Sequence, residues 1–399
     1  MNSDEARNEF FGEEMFDFEA EKKAVIANLD WLKSCSVEEF TFYKKHQEII
    51  TQRDKIANAG RTKARIWRPN DLNDEEGTIK EIEALKPKVI CTLLTKNVES
   101  DNEDWLNLRI FSHSAEHIQA PCRFLKFLVV DEVTNQILGF FSVASDVISI
   151  KDRDDYIGWT HDNRIKDHLL NYSCIATTIA STQPLGYNFL GGKFIASLVP
   201  TSVMRNAWKT VYADLIVGVT TTSLYGIPSM YTRLPAWHEC GESAGKIAIK
   251  PDEKYYELWH DWIKKHRKEE YDRRMTQKEG VSGPVTSAKM RVLHMIFNEL
   301  GIKQSSYNHG HRRGVYYASV YENTKDFLCK KIEEKDLKMK SSMVGDVQFA
   351  VDWWKPKAIA RYKKMKQENR LKPEILYYNR MVDMTYDQAK QAYFIDVGR

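Results

Sequence analysis

Ser181-Thr-Gln-Pro-Leu-Gly-Tyr-Asn-Phe-Leu-Gly-Gly-Lys193 is the stretch on which the fold turns. Before it, Ser173 to Ser181 reads as a strand. After it, Phe194 to Ala213 carries a helical pattern that Pro200 should break or kink. A strand that passes through glycines into a helix can bring backbone N–H groups together on a phosphate, and the helix dipole favours the anion. Glycine permits that approach because it has no side chain to block it. The same residues also suit a ligand-free tight turn between strand and helix. A nucleotide P-loop requires G-x-x-x-x-G-K-[ST]. Here five residues separate Gly186 from Gly192, and Phe194 stands where the magnesium-binding hydroxyl belongs, which argues against ATP or GTP hydrolysis.

Upstream, Arg123 to Val130 is a dense apolar run, Asp131 to Gln136 a polar turn, and Ile137 to Ala144 a returning strand, so a hairpin is expected. A charged loop, Lys151 to Asp155, separates this hairpin from the third strand. Downstream, Leu215 to Thr222 is a β-branched fourth strand, Ser229 to Leu234 a short helix, and His238 to Ile249 a last strand. Residues 1–60 show helical spacing in Val25, Leu29 and Leu32 and again in Phe40, Tyr43 and Ile50. Ala59 to Gly77 is polar and reads as a linker, and Glu81 to Leu94 begins helical and ends in an apolar run. Beyond Pro251 the pattern is helical again. Three blocks are expected: 1–80, helical; 81–250, a mixed α/β domain; 251–399, basic and mainly helical.

With 399 residues, 42% hydrophobic and 29% charged, the chain has the balance of a globular protein of two or three domains. No stretch approaches the roughly 20 apolar residues needed to cross a bilayer, so no membrane role is expected. The acidic start, Met1 to Glu21, lacks the basic and apolar regions of a secretory signal, and a cytoplasmic location is expected. Six scattered cysteines form no C-x-x-C pair. His113 and His117 lie four apart with no evident third ligand, so no metal site is expected. The net charge of +3 hides an asymmetry: Gly241 to Arg399 holds 32 Lys and Arg against 22 Asp and Glu, whereas the first 240 residues hold 27 against 34. A basic half beside an acidic half points to a polyanionic partner or, equally, to solvated helix faces.

Two further segments complete the pattern. Ser229-Met-Tyr-Thr-Arg-Leu-Pro-Ala-Trp-His-Glu-Cys-Gly241, with Gly245-Lys246 just beyond, offers Ser229, Tyr231, Trp237 and Gly241 after the fourth strand. Tyr307-Asn-His-Gly-His-Arg-Arg-Gly-Val-Tyr-Tyr317 follows, then Asn323 and Phe327-Leu328. From Arg123 to Leu328 the chain resembles the DruA-type domain of Druantia anti-phage systems and the related phage Mom-type DNA modification proteins, which share a GNAT-like acyltransferase arrangement.

The resemblance implies a central GNAT-like mixed sheet with flanking helices and an activity on nucleic acid, DNA in the first instance. It implies a group transferase, with a non-catalytic nucleic-acid-binding defence or counter-defence protein as one alternative and a small-molecule or protein N-acyltransferase as another. Tyr231 would donate a proton to a leaving thiolate, with Ser223 and Ser229 positioning substrate or donor; otherwise Tyr231 is an aromatic packed beneath the sheet. Acetyl-CoA or a related acyl donor would be held by Gln183, Gly186, Gly191, Gly192 and Lys193. In the basic turn, His309, His311, Arg312 and Arg313 suit phosphate contact, and Tyr316 and Tyr317 suit base stacking; equally, the segment suits a β-turn with one tyrosine buried. Lys264, Lys265 and Arg267 are candidates for nucleic-acid contact or an ordinary solvated helix face.

Overall fold

Strand formation follows the apolar runs. In chain order the described strands are β1 (Pro87–Cys91), β2 (Phe124–Asp131), β3 (Ile137–Ser145), β4 (Ser173–Ser181), β5 (Gly218–Ser223), β6 (His238–Ser243), β7 (Ile247–Ala248), β8 (Asn308–His309) and β9 (Arg313–Ser319). A computed structural model of the protein describes residues 16–117, 122–243, 247–276, 288–341, 346–372 and 381–396. The fold is mixed α/β. Seven strands form one sheet in the order β1-β2-β3-β4-β5-β9-β6, and β7 pairs with β8 separately. Every pairing in the large sheet is antiparallel except that of β4 with β5. The β2–β3 hairpin is turned by Asp131, whose carboxylate accepts from the N–H groups of Thr134 (2.9 Å) and Lys86 (2.7 Å).

Side chains alternate across the sheet, so its central strands feed two cores. On one face Phe127, Val129, Phe141 and Val143 pack with helices Gly191–Leu198, Ser202–Tyr212 and Asp346–Gln367. Trp354 anchors that face: it is fully buried, its indole stacks on Phe194 at 4.2 Å, and its Nε1 donates to the Phe189 carbonyl at 2.7 Å. On the other face Leu128, Val130 and Phe140 meet Trp105 and Leu108 of helix Val98–Ser112.

The chain divides into two compact units, Met1–Ser36 with Gly245–His311, and Val37–Ala244 with Arg312–Arg399. The smaller is built from helices Phe18–Ser34, Glu253–His266 and Ala288–Leu300 with the β7–β8 pair. Its apolar stripes recur at helical spacing, as in Tyr256, Trp259 and Ile263.

Several expectations are corrected. The region after Pro251, expected to be mainly helical, also returns β9 to the sheet between β5 and β6. Alternation in Gly314-Val-Tyr-Tyr-Ala is hidden because both faces of that strand are buried, so no polar residue marks the period. Ser229 to Leu234 is a chain of turns, with N–H groups of Thr232 and Leu234 reaching back three residues. Arg233 at φ 65° and Pro235 after it prevent a helix from propagating. Lys151–Ile157 is a helix rather than a charged loop, stopped by Gly158 at φ 87°. The expected linker contains the short helix Gly60–Ala64 and the start of Glu75–Ala84. The expected last strand is split into β6 and β7, and Gly245-Lys246 lies outside the described residues. Pro200 does break its helix, into Gly191–Leu198 and Ser202–Tyr212.

Candidate functional site

The one parallel pair in the large sheet is short. β4 and β5 are in register only from Ser173↔Gly218 to Ala176↔Thr221. Beyond that, β4 runs on to Ser181 beside β3, and β5 runs on to Ser223 beside β9. The two strands therefore fork. The closed end is fastened by Asp146, whose Oδ2 accepts from Ser173 Oγ at 2.5 Å and Thr220 Oγ1 at 2.6 Å, one hydroxyl from each strand. Asp146 is held by buried Arg153, whose guanidinium also donates to Asp154. Where the ladder ends, Thr221 Oγ1 donates to the Ala176 carbonyl at 3.1 Å. The next residue, Thr177, is bulged against β3 and exposed in mid-strand, and its hydroxyl meets Ser142 Oγ at 2.8 Å.

The glycine loop leaves the open end of β4, and residues 224–237 leave the open end of β5. The two elements face each other. Lys193 Nζ donates to the Thr232 carbonyl at 3.0 Å, and Trp237 Nε1 donates to the Ala196 carbonyl at 2.9 Å. Tyr231 is buried with its ring 5.2 Å from Tyr316 and 5.5 Å from Trp237. Burial pushes its phenol up to about 12, against a hydrogen bond with Thr221 that acts the other way. Tyr231 therefore stays protonated at neutral pH and is a weaker acid than a free phenol. Ser229 Oγ accepts from the Tyr231 N–H at 3.2 Å and shapes the turn, and Ser223 is buried at the end of β5.

The three glycines lie against other protein atoms in the direction where a side chain would stand. A Cβ at Gly186 would lie 2.4 Å from Ser181 Oγ, one at Gly191 would lie 3.0 Å from the Leu185 carbonyl oxygen, and one at Gly192 would lie 3.2 Å from Met230 sulfur. Close packing on the Cβ side therefore accounts for glycine at Gly186 and Gly191, whereas Gly192 faces only the end of the Met230 side chain. Gln183 is occupied locally, its Oε1 accepting from the Tyr187 N–H at 3.0 Å.

The basic turn at 309–317 crosses the boundary between the two units. His309 and His311 belong to the smaller unit, stacked ring on ring at 4.7 Å, with His309 buried. Arg312 and Arg313 belong to the larger one. Arg312 is exposed and 3.7 Å from Glu242, and burial lowers the pKa of Arg313. Tyr316 and Tyr317 are both fully buried on opposite faces of β9, so neither ring is available to a base. Lys264, Lys265 and Arg267 are exposed on the smaller unit. Arg267 is paired with Glu299 at 2.6 Å, and Lys264 lies 3.5 Å from Asp261. Seven Lys and Arg face six Asp and Glu between Glu253 and Thr276, so this run carries little excess charge.

Sequence reasoning missed two groupings. One is the Asp146–Arg153 fastener, whose members are spread over 75 residues. The other surrounds Tyr187 of the glycine loop, where Lys372 lies 4.8 Å and Arg361 lies 5.9 Å from the ring centroid. Buried Asn188 fixes Lys372 there, donating to its carbonyl at 2.7 Å and accepting from its N–H at 3.1 Å. The available signal was charge: residues 346–372 hold eight Lys and Arg against three Asp and Glu. Among the described residues, no helix is long and apolar enough to cross a membrane, and no cluster of three or more His, Cys, Asp or Glu could hold a metal ion.

Comparison with known proteins agrees with the motifs rather than with any solved fold. No solved structure matches the chain. The Druantia protein DruA of Escherichia coli (strain UMEA 4076-1) is 26% identical over 251 residues, covering 58% of this chain and 59% of that protein. The chain thus spans under two thirds of the length of its curated relative. Residues 42–330, from the first long helix of the larger unit to the end of the short helix after β9, match the family model described as Druantia protein DruA, and the chain belongs to that family.

Proposed function

We propose that this chain is an anti-phage defence protein that acts on nucleic acid by group transfer, with the fork between β4 and β5 as its working site. Membership of a family named for Druantia supports the defence role. The fork is the observation that carries the transfer. A parallel pair that parts after four residues opens a strand flank along which an extended ligand can lie, and here an exposed Thr177 marks the opening. Tyr231 and the glycine loop close on the same end. The reading rests on the fork, and the donor class it implies is an acyl thioester: the acyl group passes to the nucleic acid as the carbon–sulfur bond breaks, and the thiol leaves. Within it, Tyr231 acts as a neutral hydrogen-bond donor and Ser229 shapes the turn that carries it.

A second reading, non-catalytic binding of nucleic acid on the same fold, is favoured by the burial of Tyr231. Mass spectrometry of nucleosides from cells expressing the protein separates the two. Group transfer predicts a new nucleoside with the wild type, reduced at least about tenfold in a folded Tyr231→Phe variant. Oligonucleotide binding with no new nucleoside would leave only the second reading.

A further inference from the structure

Of the side chains expected to meet nucleic acid at 309–317, His309, Tyr316 and Tyr317 are buried and Arg312 lies 3.7 Å from Glu242. The excess positive charge instead lies on the helix Asp346–Gln367 and the residues just after it, mostly beyond the family match at residue 330. On that helix Trp353, Lys357 and Arg361 are spaced four apart, so they form one row about 12 Å long. Lys357 Nζ lies 4.6 Å from the centroid of Trp353, and Arg361 leads on to Tyr187 and Lys372. Trp353 and Tyr187 are each half-buried, with part of each ring at the surface.

Cations gathered in this way repel one another unless carboxylates or a bound anion offset them. Among the described residues, no carboxylate lies within ion-pair distance of Lys357, Arg361 or Lys372. The neighbouring Arg370 does have one, Glu368 at 2.9 Å. The placement of Lys372 is not left to a flexible tail, because the buried Asn188 amide grips its backbone from both sides. A fixed row of cations interleaved with two aromatic side chains matches a polymer with regularly spaced phosphates and flat bases better than a single small anion.

We propose that the row Trp353–Lys357–Arg361–Tyr187–Lys372 is a nucleic-acid-binding track that holds a strand beside the glycine loop. This rests on the reading that the protein acts on nucleic acid and assigns that contact to residues outside the 309–317 turn. The track would take the sugar–phosphate backbone without regard to sequence, and it needs no chemistry at the fork.

The test measures binding of a fluorescein-labelled 30-nucleotide single strand and its duplex to the full chain between 50 and 300 mM salt. The triple variant Lys357→Gln, Arg361→Gln, Lys372→Gln is expected to bind at least about tenfold more weakly at 100 mM salt, with a log–log salt slope shallower by about two to three. The charge-preserving triple Lys357→Arg, Arg361→Lys, Lys372→Arg should stay within about threefold of wild type, and its circular dichroism and thermal midpoint report folding. Lys264→Gln with Lys265→Gln should leave the slope unchanged. Equal slopes for wild type and the glutamine triple would overturn the track while leaving nucleic-acid action intact. Failure of the wild type to bind either oligonucleotide at 50 mM salt would overturn that action and the track with it. Loss of coenzyme A binding by calorimetry, with oligonucleotide binding unchanged, would reassign the cations to a free nucleotide and overturn the track.

Discussion

At the scale of single residues, the most constrained polar groups are not those nearest the glycines. Asp146 accepts from Arg153, Ser173 and Thr220 in the interior, so its removal takes one of two carboxylates from a buried cation, which keeps Asp154, and one acceptor from each of two buried hydroxyls. Breaking a buried pair from one side costs about 3–5 kcal/mol. Asp146→Ala is therefore expected to lower unfolding free energy by that amount in urea, and Tyr231→Phe by about 1 kcal/mol, since it loses one buried hydroxyl contact. A milder effect of Asp146→Ala would mean that water or another side chain replaces the carboxylate.

The loop after helix Val98–Ser112 supplies a pH-dependent term. Burial, with nearby Arg109 acting in the same direction, pushes His117 down to about 4, and burial holds His113 well below its usual value. An unfolded histidine takes up its proton near pH 6.5, so between there and about 4 the unfolded chain binds a proton that the folded chain refuses. The His117 contribution is therefore present above pH 6.5 and lost on acidification. Urea midpoints at pH 7.5 and 4.5 should show wild type losing more stability than His117→Asn. A difference that does not change with pH would mean that His117 protonates inside the fold.

At the scale of elements, the glycines of the sheet and of the loop serve different ends. A Cβ at Gly218 would stand 1.9 Å from the hydroxyl oxygen of Tyr317, a fully buried ring with no room to retreat. A Cβ at Gly192 would meet only the flexible Met230 at 3.2 Å, in the first turn of a helix where alanine is the better residue. Gly218→Ala should cost about 3 kcal/mol or more, whereas Gly192→Ala should stay within about 1 kcal/mol of wild type in thermal melts. A severe effect at Gly192 would point to a backbone approach by a ligand that the packing does not require.

At the scale of the whole molecule, charge is sorted in a way that a net value of +3 conceals. The Lys264 to Arg274 stretch looks basic when read alone, yet its neighbours in the chain and across the smaller unit neutralise most of it. The excess sits on the last long helix. This is why the salt dependence of binding is expected to follow Lys357, Arg361 and Lys372 and to ignore Lys264 and Lys265.

Much of the architecture was legible in local order. The hairpin, the strand Ser173–Ser181 and the break at Pro200 follow from apolar runs and from a residue without an N–H, which act over a few positions. The family could also be read from short motifs. What the sequence could not convey was any arrangement that depends on distant partners: the insertion of β9, the fork beyond Ala176 and Thr221, and the burial of Tyr316 and Tyr317. Those are set by which strands neighbour one another, and pairing energies arise between segments that chain proximity does not connect. Local pattern determined the hairpin, the strand Ser173–Ser181 and the helix break at Pro200; only tertiary packing decided where β6 and β9 lie and which side chains remain at the surface to meet a ligand.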